Sequence, residues 1–201
     1  MKAIGVFYAT REGQTQRIAE RVAANLRLRG LTVHVRNVQL LPATLNLDEC
    51  AAVVLAASVH AGEHESEMVR FVKKHVVQLD HLPTAFLSVT LSEAGAERKR
   101  YKRSRTPPFE ADVNKMRDHF FGQAGWHPKH VKPVAGALLY TKYNFIVRFI
   151  MKRIAKKAGA ATDTSRDYEY TDWLSLNRFI DQFADELCGC DKERDAALPG
   201  G

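Results

Sequence analysis

The chain has 201 residues, 45% of them hydrophobic, so it can bury a full core and is most simply one domain. A formal net charge of +7, with a pI near 9.4, points to an anionic partner: nucleic acid, an acidic membrane surface or an acidic substrate. No apolar run approaches the roughly 20 residues that span a bilayer, which excludes a membrane-crossing helix.

Met1-Lys2 leads directly into Ile4-Gly5-Val6-Phe7-Tyr8, an apolar run that predicts a buried strand and leaves no room for a signal peptide. A polar loop follows, Thr10-Arg11-Glu12-Gly13-Gln14-Thr15, and Ile18, Val22 and Leu26 then fall on one face of a predicted helix. The loop sits where a helix N-terminus leaves its amides unpaired, so those amides, two threonine hydroxyls and the helix dipole suit a terminal phosphate. Gly13 permits close backbone approach to such an anion. The loop lacks the Gly-Lys-Ser/Thr ending of a Walker loop and the spaced glycines of a Rossmann fingerprint. The alternative is an ordinary polar turn in which Thr15 caps the helix.

Gly30 predicts a helix C-terminus, and residues 31–35 alternate as a second strand with His34 at its surface. Residues 51–57 form a continuous apolar run, as a central parallel strand requires, and deliver Ser58, Val59, His60, Ala61, Gly62, Glu63 and His64 to the strand's carboxyl end. Met68, Phe71, Val72, His75 and Val76 predict a helix. Residues 83–91 predict a fourth strand that brings Val89, Thr90 and Leu91 to the same sheet edge, where ligands bind in open α/β sheets.

Residues 92–105 break the pattern with a basic run at 98–105, which reads as a solvated loop. Val113, Met116, Phe120 and Phe121 predict a helix, and residues 129–139 a fifth strand with Pro133 near its start. In residues 143–158, Tyr143, Ile146, Val147, Ile150, Ile154 and Ala158 share a core-facing stripe, with Arg148, Lys152, Arg153 and Lys156 opposite, among Phe145 and Phe149. That opposite face suits either a helix lying on a membrane surface or a surface helix whose phenylalanines pack under the basic loop. Thr171-Asp172 predict a cap for a last helix carrying Trp173, Leu176, Phe179, Ile180, Phe183 and Leu187. The domain is expected over residues 1–188, with 189–201 a disordered tail. Cys50, Cys188 and Cys190 are too few and too sparse for a disulfide framework and suit a reducing compartment, with Cys188-Gly-Cys190 an incidental pair. No metal site is expected.

Strands alternating with helices predict a doubly wound α/β fold, a five-stranded parallel sheet with a basic loop and helix inserted after the fourth strand. The Thr-x-x-Gly-x-Thr loop resembles the FMN phosphate loop of flavodoxins. Thr10 through Thr15, Phe71-Val72-Lys73-Lys74-His75, residues 134–138, Thr162-Asp163-Thr164 and Tyr170-Thr171-Asp172-Trp173 together resemble the bacterial flavodoxin-type, menaquinone-dependent protoporphyrinogen IX dehydrogenases. The resemblance implies a flavodoxin-like fold and FMN held by Thr10, Arg11, Glu12, Gly13, Gln14 and Thr15, with residues 58–62 and 89–91 flanking its ring. It also implies oxidation of protoporphyrinogen IX to protoporphyrin IX, electrons passed to a membrane quinone, and location at the cytoplasmic side of the inner membrane.

Flavodoxins that carry electrons are typically acidic, so the basic charge is a departure from them; porphyrinogen propionates and an anionic bilayer, met through loop 98–105 and helix 143–158, would account for it. No catalytic base is assigned, although His60 and His64 lie on the right loop to titrate usefully. An electron-carrier flavodoxin or another FMN quinone reductase is the alternative. No nucleic-acid motif is present, and nucleic acid is not an expected partner.

Overall fold

The computed structural model describes residues 2–42, 44–93, 108–142, 145–157 and 161–196. The basic loop at 98–105, together with Tyr143 and Ala158, lies outside them. The chain alternates in the expected way: β1 (Ala3–Ala9), α1 (Gln14–Leu28), β2 (Val33–Asn37), β3 (Cys50–His60), a short β4 (Glu63–His64), α2 (Ser66–His81), β5 (Thr84–Thr90) and α3 (Pro108–Ala124). It closes with β6 (His130–Ala135), β7 (Ala137–Leu138), α4 (Phe145–Lys157), β8 (Tyr168–Glu169) and α5 (Trp173–Ala196).

Five parallel strands run in the order β2-β1-β3-β5-β6, with β4 antiparallel beside β3. The period of two along each strand sends alternate side chains into two cores, which is why the strands read as unbroken apolar runs. Ile4, Val6, Val54, Ala56, Leu87 and Val89 pack on one face with Ile18, Val22 and Leu26 of α1 and Leu176, Ile180 and Phe183 of α5. Phe7, Val53, Leu55 and Phe86 pack on the other with Met68, Phe71 and Val72 of α2 and Phe120 and Phe121 of α3. Each large apolar side chain so buried contributes about 2 kcal/mol. Gly5 is required on the second face: a Cβ there would come within 2.5 Å of the Phe7 ring, which lies 5.1 Å from the Phe71 ring.

Two boundaries differ from expectation. The fifth strand stops at Ala135, the Gly136 N–H donating the last ladder bond to the Thr90 carbonyl at 3.2 Å, and β7 leaves the sheet to pair with β8. The last helix begins as predicted, with the Asp172 carboxylate accepting the Ser175 N–H at 2.9 Å, but it continues to Ala196, so the segment expected as a disordered tail from 189 starts as helix. On helix α4, whose predicted stripe at Ile146, Val147, Ile150 and Ile154 lies outside the described side chains, Ala155 is buried and Met151 packs on the Leu138–Tyr140 cluster, while Arg148, expected in solvent, donates from Nε to the Tyr140 carbonyl at 3.1 Å. Phe145 and Phe149 remain 80% and 61% exposed.

Candidate functional site

The sheet order reverses between β1 and β3, and the loops leaving those two strands diverge there to open a crevice at the carboxyl edge. A cavity of about 850 Å³ occupies it. Its wall includes Thr10, Glu12, Gln14 and Thr15 after β1, Ser58, Val59, His60, Ala61 and Gly62 after β3, and Val89, Thr90 and Leu91 after β5. The three predicted loops therefore meet around one cavity.

At the first loop the helix starts from Gly13, held at φ 93°, with no side chain capping it. Thr15 lies inside the first turn of α1 and does not cap it; instead the Thr10 hydroxyl accepts the Gly13 N–H at 3.0 Å. The first backbone bond of the helix runs from the Arg17 N–H to the Gly13 carbonyl, so the preceding amides of the turn have no intrahelical acceptor. Hydroxyls of Thr10 and Thr15 beside uncapped amides form a neutral donor set that fits the phosphate of FMN. Gly13 and Arg11 are not part of the cavity wall. Gly13 acts through its left-handed backbone. Gln14 reaches the site through its backbone too, since its amide side chain is turned away, donating to Glu169 and Thr171 at 2.9 Å each. Thr171 in turn donates to the Ala135 carbonyl at 2.8 Å, tying the phosphate loop to the end of β6.

The second loop is a two-residue hairpin between β3 and β4, with both Ala61 (φ 52°) and Gly62 (φ 87°) in the left-handed region that tight hairpins need. The hairpin carries Glu65 inward, where its carboxylate is only 3% exposed. Glu65 accepts from the Ser58 hydroxyl at 3.0 Å and from Arg11 Nε at 3.0 Å, and its Oε1 lies 2.7 Å from His60 Nδ1. That last approach lies outside hydrogen-bond geometry and acts as a contact of charge. On its other side the His60 ring lies 3.5 Å from Glu12. Glu12, then Glu65, hold the His60 imidazolium, raising its pKa to about 9 against the opposing effect of burial. Burial alone would raise the Glu65 carboxyl, but His60, Arg11 and Ser58 hold it below the usual carboxylate range. Glu12 thus faces the phosphate loop with its charge compensated.

His64 departs from its expected place. Strand β4 turns it into the core, where Nε2 shares a hydrogen bond with the Ser88 hydroxyl at 2.9 Å and the ring lies 4.8 Å from that of Phe120. Burial lowers its pKa to about 4, so it is neutral and absent from the cavity wall. Arg11 is 63% exposed and reaches back to Glu65. Among the described residues no Phe, Tyr or Trp lines the cavity, and its apolar contacts come from Val59, Val89, Leu91, Met116, Ala137 and Met151.

Several wall residues carried no signal in the sequence. Asp112, Lys115, Met116 and His119 form one stripe of α3, with a spacing identical to that of a solvated helix face. Ser92, Gly136, Ala137 and Met151 also enter the wall, just past β5, past β6, and from β7 and α4. No group of three or more metal-ligating side chains occurs among the described residues.

Sheet order, switch-point cavity and phosphate loop define a flavodoxin-like α/β protein. The chain belongs to the flavodoxin-domain family, whose model matches residues 5–165. It is 35% identical over 181 residues to the protoporphyrinogen IX dehydrogenase (quinone) of Escherichia coli K12, a match covering 89% of this chain and 93% of that protein. The Leishmania major protein of the same name is 31% identical over 183 residues, covering 89% of this chain and 73% of that one. Among solved structures, a flavodoxin of Streptococcus pneumoniae TIGR4 superposes with a TM-score of 0.51 at 17% identity, over 93% of this chain and 98% of that one. The rubredoxin oxygen:oxidoreductase of Desulfovibrio gigas superposes with a TM-score of 0.52 at 12% identity, over 94% of this chain and 37% of that one. These two likenesses concern the fold.

Proposed function

We propose that the protein is an FMN-dependent protoporphyrinogen IX dehydrogenase that passes electrons to a membrane quinone. The observation that carries this reading is the switch-point cavity, which begins at an uncapped phosphate loop and continues past it to the polar stripe of α3. Similarity to proteins of that name over nearly the whole chain supports the substrate class. Thr10, Thr15 and the first amides of α1 would hold the phosphate of FMN, and residues 58–62 and 89–91 would flank its ring. FMN held there would supply the two-electron redox chemistry between substrate and quinone. Val59, Leu91, Met116 and Met151 line the wall with apolar surface that excludes water. Among the described residues no aromatic lines the wall, which suits a large flat substrate beside the flavin. His60 is already protonated at neutral pH and His64 is outside the wall, so neither serves as a base; His60 compensates Glu12.

The protein would work at the cytoplasmic side of the inner membrane, touching the anionic surface peripherally. Helix α4 supports this, because it exposes Phe145 and Phe149 beside Lys152, Arg153 and Lys156 while its Met151 reaches the cavity. Among the described residues no helix is long and apolar enough to cross a membrane. Loop 98–105 is assigned to the same surface or to the propionates by its charge alone.

The test is growth of protoporphyrin fluorescence after adding protoporphyrinogen IX and a menaquinone analogue to the purified yellow protein. Quinone-dependent growth above the rate without protein is expected. Bound FMN without turnover would leave an electron carrier or a different reductase, and absence of FMN would refute the reading from its first loop onward.

A further inference from the structure

We infer that Lys115 and His119 on α3 form a carboxylate-binding subsite for the acidic side chains of the substrate, an assignment that rests on the dehydrogenase reading above. Among the described residues, the cavity wall contains the acidic Glu12, Glu63 and Asp112 and the basic His60, Lys115 and His119. His60 is committed, held between Glu65 at 2.7 Å and Glu12 at 3.5 Å. His119 makes only a loose pair with Glu63 at 3.7 Å, with their side chains 51% and 67% exposed. Lys115 has no ion-pair or hydrogen-bond partner among the described residues.

The phosphate of FMN is served by Thr10, Thr15 and the α1 amides, so it does not call on Lys115 or His119. A second anion is what they suit. Asp112, Lys115, Met116 and His119 follow one another at helical spacing on one face of α3, flanking the core residues Val113, Phe120 and Phe121, with Met116 at the seam between the two. A face of this composition usually meets water; here it is a wall of the cofactor cavity. Met116 offers apolar contact to a flat ring, Lys115 supplies a compact charge on a flexible stem that can follow a carboxylate arm, and the His119 ring offers a hydrogen-bonding nitrogen. Asp112, one turn earlier, repels carboxylates from the N-terminal end of α3 and directs them toward residues 115–119.

The experiment compares protoporphyrinogen IX with its dimethyl ester, which keeps the ring and removes the charges, using the FMN-loaded protein in one detergent. Lys115→Gln should lower kcat/KM for the acid about fivefold, through KM with kcat retained, and leave the ester unchanged. Lys115→Arg should restore the preference for the acid. Asp112→Asn should strengthen it, and Lys129→Gln, a cation on the far side beside Glu186, should leave it alone. An acid-to-ester ratio unaltered by Lys115→Gln overturns the subsite while leaving the dehydrogenase reading intact. Failure of the unsubstituted protein to oxidise either form overturns both.

Discussion

Glu65 holds the two cofactor loops together from behind the cavity. It joins Arg11, in the phosphate loop, to Ser58 and His60 on the loop after β3, and it does so as a buried charge compensated by those partners. Glu65→Gln keeps the shape and removes the charge, leaving Arg11 and His60 without their common partner. FMN affinity should fall about tenfold, the equivalent of one lost charge-assisted contact. Flavin fluorescence, quenched in the bound state, measures the dissociation constant, and an unchanged value would count against the tie. Nothing in Glu63-His64-Glu65-Ser66 marks this residue in the sequence, since four polar positions in a row read as loop. Burial of His64 and Glu65 arises because the Ala61-Gly62 turn folds β4 back onto β3. Thr10 and Thr15 were legible for the opposite reason: a strand, a short polar loop and a helix are contiguous, so local chemistry alone places a phosphate site there.

Helix α4 was legible as a helix, but not that Ala155 and Met151 dock onto the Leu138–Tyr140 cluster. Arg148 is drawn in to a backbone carbonyl, while Phe145, Phe149, Lys152, Arg153 and Lys156 stay outside. An arginine guanidinium lies 6.0 Å from the Phe149 ring, so the exposed aromatic is already paired with a cation, Arg153. If this face meets lipid, replacing Phe145 and Phe149 together with serine should weaken binding to anionic vesicles by at least about tenfold, since two phenyl side chains lose their apolar burial. Co-sedimentation with phosphatidylglycerol-containing vesicles measures it. Equal binding by the substituted protein would assign the contact elsewhere, and the FMN content of both proteins should remain the same.

Across the whole molecule, two histidines of similar sequence context give stability opposite pH dependences. The His60 pKa is raised from 6.5 to about 9, so its contribution is complete below 6.5 and is lost as pH rises toward 9. The His64 pKa is lowered from 6.5 to about 4, so folding favours the neutral ring, and stability is lost as pH falls from 6.5 toward 4. Each limb amounts to on the order of 3 kcal/mol. Thermal unfolding followed from pH 4 to 9 at constant excess FMN should therefore peak near the ordinary histidine pKa. His60→Gln should flatten the alkaline limb and spare the acid one; a melting curve insensitive to that change would refute the assignment. The alternation of strands and helices, the period-two strand faces, the phosphate loop and the three loops at one sheet edge followed from the sequence by itself, because each rests on residues close together in the chain. Only the tertiary structure decided that His60 is a held cation and His64 a core residue, that Glu65 joins two loops, and that the polar face of α3 is a cavity wall. Those outcomes depend on which segments pack against one another, and a charge or a polar helix face looks the same in sequence whether it meets water, another charge or a ligand.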